Sequence, residues 1–155
     1  MESNLCGMLQ TNIDLGVLQE TKVAKGVFTR VYSDYNIVVL SAPILHSGGV
    51  SVFYRATEHF SMESLQIYDA NSVSFHLDLG GQRWFIVGLY LAPDKNLTIE
   101  DVIAAIIQRP RRGALLVVGD LNTNLTAPEG RARDEEIAAA MATAGIEDIN
   151  GHFPP

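Results

Sequence analysis

The sequence predicts an α/β (α+β) fold in which two β-sheets pack together and helices flank them, in a single domain over residues 1–155. Three observations carry this expectation. Short apolar runs bounded by glycine and proline outnumber helical patterns. One pair of runs alternates polar and apolar residues around a Gly-Gly turn. The order of elements is not the strict strand–helix alternation of a doubly wound sheet, which favours packed sheets with helices outside them.

Taken in chain order, Leu5, Met8 and Leu9 fall at helical spacing and predict a short amphipathic helix over Glu2–Thr11. "DLGVLQ", Asp14–Gln19, reads as a buried strand that ends at Glu20. Asn36–Ser41 and Gly49–Arg55 read as two further strands, separated by Pro43 and the Gly48-Gly49 pair. Val73, Phe75, Leu77 and Leu79 alternate with Ser72, Ser74, His76 and Asp78, so one face is apolar and the other polar. Gly80-Gly81 supplies the positive-φ residues of a tight hairpin turn, and the return strand runs from Gln82 to Leu91, stopped by Pro93.

Ile99, Val102, Ile103, Ile106 and Ile107 make the apolar stripe of a helix, with Thr98 as its cap, Asp101 three residues on, and Pro110 as its stop. "LLVVGDLNTN", Leu115–Asn124, begins as a continuous apolar run, the pattern of a strand buried on both faces. Asp134–Ala144 is a second clear helix, with acids in its first turn, Ile137 and Met141 on one face, and Gly145 just past its end.

Composition narrows the function. Net charge is −7 at pH 7, so the chain as a whole has no basic footprint for nucleic acid. Arginines cluster locally at Arg109, Arg111 and Arg112, and at Arg131 and Arg133, which read as solvated helix ends and loops. Acidity does not exclude a phosphate substrate, because a bound divalent cation reverses the local charge. Apolar runs fall far short of the ~18 residues that span a bilayer, and Met1–Asn12 lacks the features of a signal peptide, so no membrane partner is expected. One cysteine, Cys6, suits a reducing, intracellular compartment. The Asn96-Leu-Thr and Asn124-Leu-Thr patterns are then chance matches to a glycosylation signal.

Two apolar strands end in carboxylates, Glu20 after "GVLQ" and Asp120 after "LVVG". Each acid sits where the chain leaves the core and can face a shared rim. Side chains repeat every two residues in an extended segment, so Asp120 and Asn122 project together. A carboxylate to orient water beside an amide to hold an oxygen suits phosphodiester hydrolysis. Carboxylates and amides are hard oxygen donors that suit Mg²⁺ or Mn²⁺ rather than zinc. An Asp or Asn at a strand end also serves as an ordinary turn former, so these residues alone leave both roles open.

"DLGVLQETK", "SGGVSVFYR", "VGLYLAPD", "LLVVGDLNTN" and "AGIEDIN" stand in the order seen in the endonuclease/exonuclease/phosphatase superfamily. They most resemble the endonuclease domain of non-LTR (LINE-type) retrotransposons. The resemblance implies a four-layer sandwich and a metal-dependent phosphodiesterase centre acting on DNA. By its motifs, Glu20 matches the metal-binding glutamate and Tyr90 the tyrosine that hydrogen-bonds the scissile phosphate. Asp120 matches the aspartate that directs the attacking water and takes part in the metal site. Asn122 matches the asparagine that holds that water or the phosphate. Gly48 and Gly49 match a structural glycine pair, and Asp148 a structural acid.

Relative to the superfamily pattern, the chain starts after the opening strand that ends in a metal-proximal asparagine. It also stops before the closing Ser-Asp-His block. The fold is therefore expected to be incomplete at both ends, with little or no activity in isolation. His152 is no substitute for the missing histidine, and His46, His59 and His76 read as surface or packing residues. The resemblance implies an intracellular, nuclear retroelement endonuclease with a fused or lost reverse transcriptase. A phosphoinositide or small phosphodiester phosphatase of the same fold, and a non-catalytic retroelement remnant, are the alternatives.

Overall fold

The computed structural model describes residues 13–21, 28–32, 35–39, 48–55, 60–69, 71–79, 81–91, 113–123 and 132–147. Two compact units partition the chain: Met1–Tyr90 with Pro110–Asp120, and Leu91–Arg109 with Leu121–Pro155. The helices expected at Glu2–Thr11 and over 99–107 lie outside the described residues, as do Cys6, Asp148, His46, His59, His152 and most of the clustered arginines.

Among the described residues the first unit holds two four-stranded sheets, the α/β-type architecture that the pattern predicted. Its strands are β1 (Leu15–Gln19), β2 (Phe28–Tyr32), β3 (Tyr35–Val39), β4 (Val50–Arg55), β5 (Phe60–Asp69), β6 (Ser72–Leu79), β7 (Gln82–Tyr90) and β8 (Ala114–Asp120). The first sheet has the order β1-β4-β3-β2 and the second β5-β6-β7-β8. All pairings are antiparallel except β7 with β8, which run parallel with Tyr90 opposite Asp120. A parallel pair needs a long crossover connection, which residues 91–113 provide.

The hairpin forms as its alternation predicts. Leu79 pairs with Gln82 across the two-residue turn, and Gly81 sits at φ 82°, open to an L side chain only with strain. The strand β5 was not legible in the sequence. Between Glu63 and Gln66 three steps on β5 match two on β6, a bulge at which Ser64 takes a φ of 53°. That extra residue breaks the period of two by which strands are recognised. The strand β2 was likewise unread, and it pairs with β3 from Tyr32 opposite Tyr35 outward.

The interior of this unit is built from β4, β6 and β7. Val50, Val52, Phe53, Val73, Phe75, Leu77, Phe85, Ile86, Val87 and Leu89 are buried. Two glycines make room for neighbouring side chains, one between the sheets and one within a sheet. A Cβ at Gly88 would stand 2.9 Å from Val17 Cγ1, so its absence allows β7 to approach β1 of the other sheet. Gly16 makes room for the Phe53 ring, which lies where a Cβ would project. The Phe53 ring also meets Tyr35 edge-on at 6.2 Å.

Three expectations change here. Ala114–Val118 of β8 and Leu15–Gln19 of β1 are half-buried rather than buried on both faces. Among the described residues, each stands at the edge of its sheet with a neighbour on one side. A cavity of about 360 Å³ lies between them, lined by Leu15, Val17, Leu116 and Val118 among others. On β6 the predicted polar face is not a solvent face, because Ser74 is fully buried and the His76 ring packs 5.1 Å from that of Phe85. His76 thus serves as a packing residue, as read from the sequence.

The second unit contains α1 (Ala132–Thr143). Its predicted apolar pair, Ile137 and Met141, is buried, and Asp134 and Glu135 stand in its first turn. The helix ends in a Schellman motif. Gly145 at φ 67° donates to Ala142 O at 3.0 Å, and Ile146 donates to Met141 O at 2.9 Å.

Candidate active site

Glu20 is the first residue beyond β1, exposed, and held at φ 51°. A left-handed residue here turns the chain off the edge of its sheet immediately after the last ladder pair, Gln19 with Val50. The turn is fixed by Thr21 N–H, which donates to Gly49 O at 3.3 Å. Gly48 and Gly49, at φ 80° and 91°, occupy the same region of backbone space just before β4, where side chains would be strained.

Tyr90 closes β7 and is 2% exposed, yet its hydroxyl reaches the opposite sheet and donates to Glu20 Oε1 at 2.5 Å. The register places Tyr90 directly beside Asp120, the last residue of β8. Asp120 itself is exposed. Three of the residues singled out by sequence, Glu20, Tyr90 and Asp120, therefore stand at the same ends of β1, β7 and β8.

Gly119, immediately before Asp120, has a φ of 158°. A Cβ there would overlap the Leu89 carbonyl oxygen and lie 2.8 Å from its carbon. The glycine of "GDLN" thus has a steric reason: only a bare Cα lets β8 run against β7 up to the acid.

Asn122 belongs to the second unit. It is exposed, takes a φ of 47°, and donates through Nδ2 to Leu91 O at 2.9 Å. Arg133 reaches the same carbonyl from α1 at 3.4 Å. Thr123 Oγ1 donates to the buried Asp134 carboxylate at 2.8 Å, tying the segment after "GDLN" to the first turn of the helix.

Sequence reasoning missed Asn71. It lies in the two-residue turn between β5 and β6, is 4% exposed, and accepts hydrogen bonds from Gly49 N–H through Oδ1 and from Tyr90 N–H through its carbonyl. With β5 unread, the turn that carries it had no visible start.

The available donors at these strand ends are oxygens: the carboxylates of Glu20 and Asp120 and the hydroxyls of Tyr90 and Thr21. That set fits a hard cation such as Mg²⁺ or Mn²⁺ and not zinc. No group of three or more His, Cys, Asp or Glu side chains gathers among the described residues. An ion here would be held by one or two carboxylates and complete its shell with water, as Mg²⁺ commonly does.

The pattern of the Endonuclease/Exonuclease/phosphatase family matches residues 3–151. The chain belongs to that family. Among solved structures, it resembles the endonuclease domain of TRAS1, a telomere-specific non-LTR retrotransposon, with a TM-score of 0.62 and 16% identity. The match covers 93% of this chain and 66% of that one, so this chain spans just under two thirds of the TRAS1 domain's length. At that identity the likeness establishes the endonuclease/exonuclease/phosphatase fold alone. No curated protein matches the chain. The family is one of hydrolytic nucleases and phosphatases, which agrees with the hydrolytic chemistry read from the strand-end residues.

Proposed function

We propose that this chain is a metal-dependent phosphodiester hydrolase of the retroelement endonuclease type, cutting DNA. The observation that carries the proposal is the Tyr90 hydroxyl bonded to Glu20 while Tyr90 is the register partner of Asp120. Three groups with distinct uses in phosphodiester hydrolysis share one end of the strands. Family membership and the likeness in fold to the TRAS1 endonuclease domain support the same reading.

In this proposal Glu20 and Asp120 hold Mg²⁺ or Mn²⁺, which when bound neutralises charge on the phosphoryl oxygens. Asp120 is exposed and accepts a hydrogen bond from the attacking water, aligning it on phosphorus and taking its proton. The P–O bond to the leaving sugar oxygen breaks, and that oxygen takes a proton from solvent. Tyr90, fixed by its burial, presents its hydroxyl to Glu20 in the free protein and to a phosphate oxygen in the complex. Asn122 holds that water or the phosphate, on the strength of its place in "GDLN". A retroelement origin carries with it a nuclear site of action and a fused or lost reverse transcriptase.

Two measurements test this. Mn²⁺ binding followed by electron paramagnetic resonance is expected to be weak and to be lost in Glu20→Ala. Tight zinc binding unaffected by Glu20→Ala would overturn the metal assignment. Supercoiled plasmid and a soluble phosphoinositide, each offered with Mg²⁺, distinguish the substrate. Turnover of the phosphoinositide alone, abolished in Asp120→Ala, would overturn the DNA assignment.

A further inference from the structure

We infer that Asn71 is a positioning residue for the Glu20–Tyr90 pair, a role that rests on the proposed function of those two side chains. Four hydrogen bonds and one peptide link close a ring through it. Tyr90 Oη–H donates to Glu20, and Glu20 is bonded covalently to Thr21. Thr21 N–H donates to Gly49 O at 3.3 Å. Gly49 N–H donates to Asn71 Oδ1 at 3.0 Å, and Asn71 O accepts Tyr90 N–H at 2.8 Å.

The ring joins the two sheets at the end where the candidate site stands. Glu20, Thr21 and Gly49 flank β1 and β4 of one sheet, whereas Asn71 and Tyr90 belong to the β5–β6 turn and β7 of the other. Asn71 touches both halves: its backbone fixes the end of β7 and its side chain fixes the glycine loop that holds the turn at Glu20. The loop cannot provide this itself, because Gly49 precedes the first ladder pair of β4 and its buried N–H needs an acceptor from elsewhere.

The residue type follows from the same geometry. A two-residue turn accepts Gly, Asp, Ser or Asn without preference for a long-range role. A side chain that is 4% exposed and polar is costly unless hydrogen-bonded, so its retention at this turn points to the acceptor it supplies. A hydroxyl on one carbon is too short to reach Gly49. An aspartate keeps both the length and the acceptor, and a leucine keeps the volume while removing it.

The test uses the full chain with ¹³C-labelled tyrosine rings, the Tyr90 Cζ resonance being assigned by its loss in Tyr90→Phe. Asn71→Leu is expected to move that resonance in the direction produced by Glu20→Gln, and Asn71→Asp to restore it. Circular dichroism establishes that each variant is folded at the temperature used. Should Asn71→Leu fail to fold, Asn71→Ser carries the same comparison. A Tyr90 resonance that stays in place in a folded Asn71→Leu or Asn71→Ser protein overturns the inference.

Mn²⁺ titration of the same samples separates this inference from the functional reading. Where wild type binds Mn²⁺ through Glu20, Asn71→Leu is expected to weaken binding by about 10-fold or more, the scale of lost outer-shell support, and Asn71→Asp to recover it. Failure of wild type to bind would sink the metal assignment, and the Tyr90 resonance would still decide the role of Asn71.

Discussion

Gly119→Ala asks whether the glycine before Asp120 serves backbone freedom or close approach. Gly81 and Gly145 provide the control, since both have positive φ, at 82° and 67°, and nothing lies within 4 Å of a Cβ at either. Alanine there meets only the left-handed strain, about 1–2 kcal/mol. At Gly119 the same Cβ falls inside the Leu89 carbonyl and 3.1 Å from Leu89 N, all backbone of the paired strand that no rotamer change can move aside. Overpacking of this kind costs roughly 1–3 kcal/mol beyond the strain.

The expected total for Gly119→Ala is therefore about 2–5 kcal/mol, or roughly 5–15 °C in Tm for a chain of this size. Gly81→Ala and Gly145→Ala should lose only the strain, about 1–2 kcal/mol. Thermal and urea unfolding of the three variants measure the difference. Because the clash sits one residue before Asp120, the β7–β8 ladder should open at the Tyr90–Asp120 pair, and Mn²⁺ affinity should fall together with stability. Equal destabilisation of Gly119→Ala and Gly81→Ala would refute the close-approach argument.

Asp120→Ala should abolish any Mg²⁺-dependent plasmid nicking while changing Tm by less than about 1–2 °C, since the side chain is exposed; retained nicking would remove Asp120 from the mechanism. Ile137→Ala, at 2% exposure on α1, is expected to cost about 2–5 kcal/mol in urea unfolding, and a loss below 1 kcal/mol would mean that the helix face is not packed. Arg83 bonds Glu63 at 2.9 Å, but both side chains are about half exposed, so Arg83→Ala should change unfolding free energy by no more than about 1 kcal/mol, with salt reducing the difference.

What could be read in the sequence was whatever local periodicity or a short motif encodes. The β6–β7 hairpin announced itself through strict alternation around Gly80-Gly81, and α1 through Ile137, Met141 and Gly145, because in each the burying face repeats with the period of the element. Glu20 and Asp120 were visible as acids closing apolar runs, and Tyr90 through its motif. The strand β5 was not, since the bulge at Ser64 shifts its faces by one residue midway and cancels the period. Nor could the sequence show that β1 and β8 stand at the sheet edges among the described residues. An apolar run reports that a strand has apolar neighbours, not how many strands flank it.

Tertiary structure alone decided which groups meet. The Tyr90 hydroxyl reaches Glu20 across 70 positions of chain, and Asn71 reaches Gly49 across 22. Both contacts depend on how two sheets stack, and on Gly88, whose bare Cα leaves room for Val17 of the other sheet. A hydrogen bond between sheets leaves no period in either strand. Asn71 is, in sequence, one more polar residue at a turn, and only the packing of the sheets makes it the acceptor that holds the loop beside Glu20.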